Sequence, residues 1–390
     1  MKKSLIALAA LAAVGAASAQ SSVTLYGVVD IGYGSHKVES RDGSNSVRSS
    51  GVMDGANAGN RIGFRGTEDL GGGLKANFVV EQGISPTSGA LFGQRAASAG
   101  QQGANLYPVA SPNIAGAATA FSTATNRSSY LGLSGANWGT VNIGYQYTNL
   151  YELATLSGYN IGSEGNAGAY TSHLHGFGYA GGTRANGFTY ISPNFSGFTV
   201  RAQYGAIGAA NETSVATTAG ATTAETTGRR YGLMGQYANG PLSAALAYTN
   251  VRATNFGGGN NGSRSGNLTQ LGASYDFGVA KLAGTYNNGK DGGTAATTTS
   301  SKYRAYQLGV SVPFGAVVPF ISFGRASTQA DGAVARSLDV SQQQVGVRYS
   351  LSKRTTAYAF YGQTKDNAAT VANGLAYKDS KTVIGLMHSF

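Results

Sequence analysis

Cysteine is absent from this chain of 390 residues, tryptophan occurs once, and charged residues make up only 12% of the composition. The lack of cysteine excludes disulfide bonds and thiol chemistry, and it leaves the redox compartment open. Glycine and tyrosine are abundant, with 59 and 23 residues. This mixture favours strands, turns and aromatic belts over a helical enzyme.

Long apolar runs are missing after residue 19. The strongest remaining run, residues 317–321, contains a proline. It is far shorter than the roughly eighteen residues that a membrane-spanning helix needs. The sequence therefore gives no support to a helical membrane protein.

The amino-terminal residues 1–19 predict a secretory signal peptide. Two lysines open the segment, an alanine-rich apolar stretch covers residues 5–17, and Ala-Ser-Ala at 17–19 is a small-residue cleavage site. The stretch is too short and too rich in alanine for a transmembrane anchor. We expect cleavage before Gln20, which leaves residues 20–390 as the mature domain.

The rest of the chain is a series of segments, each about ten residues long, in which polarity alternates with a period of two. We count sixteen segments, and an even number closes a barrel with both termini on one side. Sixteen strands enclose an aqueous lumen instead of a packed core. The sequence therefore predicts an all-β fold, a 16-stranded antiparallel transmembrane β-barrel in one domain.

The last residue, Phe390, agrees with this prediction. It shares one face of the final segment with Thr382, Ile384, Leu386 and His388. A soluble domain gains little from a terminal phenylalanine because termini fray in water. The closing strand of an outer-membrane barrel needs an apolar outer face and an aromatic residue at the interface.

Connections between the segments alternate between short and long. The short ones carry turn residues, as in the glycines at 71–73. The long ones are rich in Ala, Gly, Thr and Asn and cover residues 38–58, 83–126, 149–183, 207–228, 252–266, 288–301, 327–339 and 366–379. Tight turns at one end and long loops at the other are typical of outer-membrane barrels, with the long loops outside the cell.

The alternation also assigns side chains to the two faces of the wall. Ile62 and Phe64 are expected to face lipid, and the residues between and around them to face inward. The same rule predicts these inward charged residues: Arg61, Arg65, Lys75, Glu81, Arg201 and Arg348. Arg127 has the lipid-facing parity of its segment, so it lies either at a loop end or across a β-bulge.

Tyrosines at the ends of segments predict an aromatic girdle at the membrane interface. The residues concerned are Tyr147, Tyr190, Tyr204, Tyr237, Tyr248, Tyr275 and Tyr286. The alternative for each is the ordinary preference of strands for aromatic residues.

The net charge of +11 is compatible with a nucleic-acid or a membrane partner. Export argues against nucleic acid. In an exported barrel, the excess positive charge instead biases which small ions enter.

Five short motifs occur in order along the mature chain: VTLYGVVD at 23–30, RIGFRGTEDL at 61–70, YISPNFSGF at 190–198, LSKRT at 351–355 and the terminal Phe390. Together they resemble the Gram-negative general porins of the neisserial and burkholderial type. Each motif is moderately specific, and their order over the whole mature chain makes the resemblance strong.

The resemblance implies a homotrimer of barrels in the outer membrane, in contact with lipid and lipopolysaccharide and without a cofactor. Each barrel would be a passive diffusion channel for ions and small hydrophilic solutes. The third extracellular loop, about residues 149–183, would fold into the lumen. Glu152 and Glu164 are its two carboxylates and would form the acidic side of a constriction.

In such a porin, basic wall residues face a few acids on the inward loop and bias the pore toward anions. The pore-lining and constriction candidates are Arg61, Arg65, Lys75, Glu81, Glu152, Glu164, Arg201 and Arg348, with Arg61 and Lys75 expected nearest the narrowest point. The alternative for any one arginine is that it solvates the wet lumen or pairs with a neighbour.

The chain departs from the family pattern at two positions. Tyr145 and Met387 stand where these porins often carry arginine. Both departures remove positive charge, and the first is expected to weaken or neutralise the constriction field.

Other signals are weak. His173 and His175 lie two residues apart without a third ligand nearby, so no metal site is predicted. Two alternative functions stay open at this point: a surface adhesin that uses the long loops, and a barrel lipase or protease, for which no Ser–His–Asp triad can be placed.

Overall fold

The computed structural model describes residues 22–40, 46–87, 126–156, 184–206, 213–214, 225–254, 263–291, 301–330, 338–366 and 377–390. The predicted signal peptide, Glu164, His173 and His175 lie outside these ranges. Within them, one helix, α1 (Asn149–Leu156), accompanies eighteen strand segments. No helix in the described part of the chain is long and apolar enough to cross a membrane.

The strand segments run in chain order around a single sheet. Their bounds are β1 (Ser22–Ser40), β2 (Ser46–Asp54), β3 (Arg61–Gly71), β4 (Leu74–Gly83), β5 (Asn126–Gly135), β6 (Gly139–Tyr147), β7 (Arg184–Ile191), β8 (Phe198–Ala206), β9 (Thr213–Ser214), β10 (Glu225–Asn239), β11 (Leu242–Thr254), β12 (Ser263–Asp276), β13 (Lys281–Asp291), β14 (Ser301–Ser311), β15 (Val317–Ala330), β16 (Leu338–Ser350), β17 (Thr355–Asp366) and β18 (Tyr377–Ser389).

The described segments occupy sixteen positions around the barrel wall. Strands β2 and β3 pair with successive parts of β1 and share one position. The two-residue β9 pairs only with the start of β10, while β8 is the strand that pairs with the body of β10. All pairings are antiparallel, so the predicted 16-stranded antiparallel barrel is confirmed.

The barrel closes between its first and last strands. Strand β1 pairs with β18 from Val28 opposite Ser389 to Ser40 opposite Tyr377. At the seam, Gly27 and Phe390 exchange two backbone hydrogen bonds of 3.1 Å. A Cβ added at Gly27 would collide with the Phe390 ring, so this glycine makes room for the terminal aromatic residue. Because β1 and β18 pair, neither of these two strands is left as an open edge of the sheet.

The period-two assignment of faces is also confirmed. The exposed outer residues include Phe64 (47% exposed), Val80 (45%) and Leu131 (59%), while Glu81 and Asn142 on the opposite parity are buried inside. The expected girdle tyrosines Tyr190, Tyr204, Tyr248, Tyr275 and Tyr286 are likewise exposed on the outer face. An apolar outer band facing lipid and a polar lumen follow from the same alternation.

Several strands are longer than the sequence pattern indicates. Residues 38–58 were expected to be a connection, yet β1 continues to Ser40 and β2 occupies Ser46–Asp54. Strands β11 and β13 also extend into expected loops, to Thr254 and Asp291. The apolar alternation stops where lipid contact stops, whereas backbone pairing continues because it does not depend on apolar side chains.

The turns at one end of the barrel are short. Between β3 and β4, Gly71, Gly72 and Gly73 have φ values of 84°, 61° and 80°. Only glycine adopts three such angles in succession at little cost, so the residue type fixes this tight turn. In outer-membrane barrels the short turns face the periplasm.

Candidate functional site

An inward-facing carboxylate, Glu81 on β4, is the centre of a cluster of arginines and tyrosines. It is only 7% exposed. Its Oε1 accepts a 2.7 Å hydrogen bond from Nε of Arg127, and its Oε2 lies 3.8 Å from Nε of Arg61. Tyr26 on β1 donates its hydroxyl to the same carboxylate at 3.1 Å.

Arg127 reaches the lumen because of a β-bulge. Glu81 pairs with Ser128, whereas the next residue, Gln82, pairs with Asn126, so Arg127 is the extra residue of β5. A bulge re-aims one side chain relative to the strand alternation. Of the two alternatives that the parity of Arg127 left open, the structure shows the bulge.

Tyrosine rings extend the cluster toward helix α1. The hydroxyl of Tyr147 donates to Glu81 at 3.2 Å and accepts from Arg127 at 3.0 Å. Arg184 on β7 donates to the same hydroxyl at 3.2 Å, and its guanidinium lies 4.6 Å from the Tyr147 ring centroid. Tyr151 stacks on Tyr147 with centroids 4.2 Å apart. Tyr147 therefore lies inside the barrel, and its assignment to the outer girdle was wrong.

Two side chains of β8 hold the junction between β6 and α1. Arg201 and Gln203 both donate to the carbonyl oxygen of Tyr147, at 2.9 and 2.8 Å. Gln203 also accepts from the amide of Asn149 at 2.9 Å. Arg201 lies 3.3 Å from Glu152 in the first turn of the helix. The chain is thus directed into the lumen at the point where the strand ends.

Helix α1 lies against the inner wall on apolar residues. Leu150 packs with Val251 and Leu268, and Leu153 packs with Met234 and Ala247. Both helix leucines are fully buried. These wall residues have inward parity, and inward-facing residues of such barrels are generally polar, so the helix that covers them explains their apolar character.

A second element projects inward between β2 and β3, and we call residues 55–60 the insert. Its anchor is the fully buried Asp30 of β1. The carboxylate accepts hydrogen bonds from the amides of Asn57 (2.6 Å) and Ala58 and from the Tyr358 hydroxyl (2.6 Å). The amide of Asp30 donates to the side chain of Asn60 at 2.5 Å.

The insert also makes apolar contacts with the wall. Ala56 packs with Phe320, Tyr358, Phe360 and Val383, and Met387 lies beside this group. Met387 accepts a hydrogen bond from the Asn57 side chain at 3.2 Å. Met387, which stands where the porins that this sequence resembles often carry arginine, is therefore a packing partner of the insert.

The structure brings Arg61, Glu81, Glu152 and Arg201 into one connected network, but three other candidates lie apart from its centre. Arg65 stacks on Tyr26, 5.1 Å from its ring centroid. Lys75 is exposed one residue after the start of β4, and Arg348 lies 5.0 Å from the Phe320 ring near the end of β16. Both are close to the short turns. Glu164 lies outside the described residues.

Sequence reasoning did not include Arg127, Tyr147 and Arg184 among the site residues. A bulge has no clear signature in the alternation, and Tyr147 and Arg184 stand where strands meet loops and parity no longer decides the direction. Arg127 and Arg184 add two guanidinium groups to the network that already contains Arg61 and Arg201. Within the described residues, no group of three or more potential metal ligands occurs.

The comparisons with known proteins agree with this architecture. A family model described as Gram-negative porin matches residues 6–369. The chain belongs to the Gram-negative porin family. This porin is 34% identical to outer membrane porin protein 32 of Delftia acidovorans over 411 residues and 30% identical to an outer membrane porin protein of Bordetella pertussis over 437 residues, each alignment covering both chains completely.

Solved structures give the same result. The porin superposes on an anion-selective porin from Comamonas acidovorans with a TM-score of 0.67 and 26% identity, covering 95% of this chain and all of that one. The protein is therefore an outer-membrane porin, a diffusion channel and not an enzyme, which confirms the function and location expected from the sequence. These comparisons favour neither of the two alternatives, a surface adhesin or a barrel lipase or protease.

Proposed function

We propose that this porin conducts small hydrophilic solutes and ions passively and prefers anions. The observation that carries the proposal is the charge balance of the site. Arg61, Arg127, Arg184 and Arg201 contribute four positive charges to the described network, against two carboxylates. A net positive wall in a narrow, low-dielectric passage concentrates anions and repels cations.

The geometry supports a constriction at this height of the barrel. Helix α1 covers the wall formed by β10–β12, and the insert covers the wall formed by β15–β18 and β1. The arginine network lies on another arc of the wall, from β3 to β8. We propose that the solute path runs past this arc, with Glu152 on the helix side. The Comamonas structure, which is described as anion-selective, supports the direction of the preference.

The other pore-lining candidates have graded roles in this proposal. Arg65 lines the path below the network, and Lys75 and Arg348 line it near the short turns. Glu164 contributes acidic charge from the remainder of the inward loop, residues 149–183. In the mature protein, after removal of residues 1–19, three such barrels associate as a homotrimer in contact with lipopolysaccharide.

Planar-bilayer recording on the purified protein tests the proposal. We expect stepwise conductance increments and, in a salt gradient, a reversal potential of the sign for anion preference. A cation preference would refute the role of the arginine network, and a lack of stepwise conductance would refute the channel itself. Chemical crosslinking of the native protein to a trimer tests the assembly separately.

A further inference from the structure

A tyrosine ring lies flat on the inner wall at a glycine of β3. Tyr26 on β1 is the direct partner of Gly63, and Gly63 is in turn the partner of Glu81 on β4. The Tyr26 hydroxyl donates to Glu81 at 3.1 Å, so the ring crosses the strand between them, a span of two strand spacings or about 10 Å. A Cβ added at Gly63 would lie 2.6, 2.7 and 2.9 Å from three atoms of this side chain. One face of the ring therefore lies on the wall, and its other face is turned to the lumen.

An exposed arginine stands beside the ring. Arg65 follows Gly63 by two residues, so it has the same inward parity. Its guanidinium lies 5.1 Å from the centroid of the Tyr26 ring, and its side chain is exposed. The cross-strand partners of Arg65 are the uncharged Thr24 and Val79, and no carboxylate of the described residues forms an ion pair with it. The positive charge is thus available to an anion in the lumen.

The other arginine next to this glycine is already engaged. Arg61 lies 3.8 Å from the carboxylate of Glu81 and donates to the carbonyl oxygen of Gly59 at 3.3 Å. A carboxylate arriving at Arg61 would meet the negative charge of Glu81, whereas at Arg65 it would not. The end of the ring near Arg65 is therefore the better place for an anionic group.

The wall contains a second copy of this arrangement, and that copy is covered. Phe320 is the direct partner of Gly346, where an added Cβ would lie 2.6 Å from the ring. Arg348 follows Gly346 by two residues, and its guanidinium lies 5.0 Å from the ring centroid. Phe320 is only 5% exposed because Ala56 of the insert and Phe360 pack with it. In the copy on β1 the ring is left partly exposed to the lumen.

We propose that the Tyr26 ring and the Arg65 guanidinium form a binding platform for aromatic carboxylates that pass through the pore. The carboxylate pairs with the guanidinium of Arg65, which suits the planar, two-oxygen geometry of this group. The aromatic ring of the solute lies against Tyr26, and ring pairs contribute more than their buried area alone. The inference rests on the proposed path of anions past this arc of the wall, and it adds a preferred class of solute.

The first test uses the native protein and two matched probes. Chloride current is recorded across a planar bilayer while benzoate or cyclohexanecarboxylate is added. Both probes carry a six-membered ring and a carboxylate that is ionised at neutral pH, but only benzoate has an aromatic face. We expect benzoate to reduce the current at a concentration about threefold to tenfold lower. Equal concentrations for the two probes would overturn the proposal without the need for any variant.

Two variants of the tyrosine isolate the role of its ring. Tyr26→Phe and Tyr26→Leu both lose the hydrogen bond to Glu81, so they differ in the ring alone. We expect Tyr26→Phe to keep the preference for benzoate over cyclohexanecarboxylate and Tyr26→Leu to lose it. The same preference in both variants would show that another part of the wall discriminates between the probes.

A variant of the arginine tests the charge. Arg65→Gln is expected to raise the blocking concentrations of both probes about tenfold, since hydrogen bonds to charged groups are among the stronger ones, and to change their ratio little. Unchanged block in this variant would exclude Arg65 as the carboxylate partner.

Reversal potentials in a potassium chloride gradient separate this inference from the proposed ion preference. If the pore prefers chloride but does not distinguish the two probes, the platform is wrong and the proposed function stands. If it prefers potassium yet is blocked more strongly by benzoate, the platform stands and the proposed anion preference is wrong.

Discussion

Helix α1 and the insert both narrow the lumen, but different forces hold them against the wall. The helix is held mainly by leucine side chains against apolar wall residues, with one ion pair between Arg201 and Glu152. The insert is held mainly by hydrogen bonds to the buried carboxylate of Asp30. Apolar contact is non-directional, whereas hydrogen bonds specify positions.

The difference assigns the two elements different tasks. Burial of leucines keeps the helix docked and so determines how much of the lumen is filled. The insert ends at Asn60, directly before Arg61, so the Asp30 contacts determine where this arginine stands relative to Glu81. The helix therefore governs the width of the passage, and the insert governs the position of its charge.

The largest expected effect comes from releasing the helix. Leu153→Asp places a carboxylate in a fully buried apolar contact, where an unpaired charge costs several kcal/mol. This exceeds the roughly 1.5–3 kcal/mol that burial of a leucine contributes, so we expect α1 to leave the wall. Single-channel conductance should rise strongly. Leu153→Met is the matched control, and equal conductance in both variants would contradict the role of the helix.

Loosening the insert is expected to have the next largest effect. Asp30→Asn weakens the bonds that the carboxylate accepts from two backbone amides, and hydrogen bonds to charged groups contribute about 1.5–3 kcal/mol each. We expect a loss of about 2 kcal/mol or more in the free energy of unfolding, measured by denaturant titration, and a shifted reversal potential. Tyr358→Phe removes a single hydrogen bond to the same carboxylate and should cost about 1.5 kcal/mol, the lower end of this range. Equal losses in the two variants would speak against Asp30 as the main anchor.

Changing a charge in the network of arginines around Glu81 should alter the ion selectivity of the pore without altering the width of the passage. Glu81→Gln removes a negative charge that lies beside Arg61 and Arg127. One unit charge about 6 Å away in water contributes about 0.7 kcal/mol, or about threefold in relative permeability. We expect the anion preference to rise by about this factor, and Arg127→Gln to lower it. Reversal potentials that move the other way would show that the path does not pass the network.

The smallest effect is expected at Lys75. It lies six residues along β4 from Glu81, about 20 Å away and two Debye lengths at 0.1 M salt. We expect Lys75→Gln to change the permeability ratio by less than about 10%. A change as large as that of Glu81→Gln would place the narrowest point near Lys75, one of the two residues expected there from the sequence.

The fold could be predicted because lipid contact requires apolar side chains on the outer face of every strand, and this produces an alternation with a period of two. Exposed Phe64 and buried Glu81 obey the alternation, and the sixteen positions follow from it. The site was predicted only in part. Arg61, Glu81 and Arg201 have regular parity, whereas Arg127 depends on an extra residue in β5 that only strand pairing reveals.

The insert was not predicted for a related reason. Residues 38–58 lack apolar alternation, so they were interpreted as a loop. Their structure depends on β1, which pairs with β2 at one end and β3 at the other. Asp30 gives no local sign that it holds residues 57 and 58. Such contacts between distant segments are outside the reach of a periodic pattern.

The seam between β1 and β18 has a kinetic consequence. Val28 pairs with Ser389, so this contact encloses 389 − 28 = 361 positions. Every other strand pair in the described part of the chain joins strands that are consecutive, or separated by one strand segment, in chain order. Compared with a turn of about six residues, this is roughly six doublings of loop length, or about 4 kcal/mol of extra closure entropy. The seam is therefore the non-local step of folding, and contacts of this kind slow folding most. Until it forms, both terminal strands expose unpaired backbone edges, so the time to closure is also the period in which the chain is most prone to aggregate.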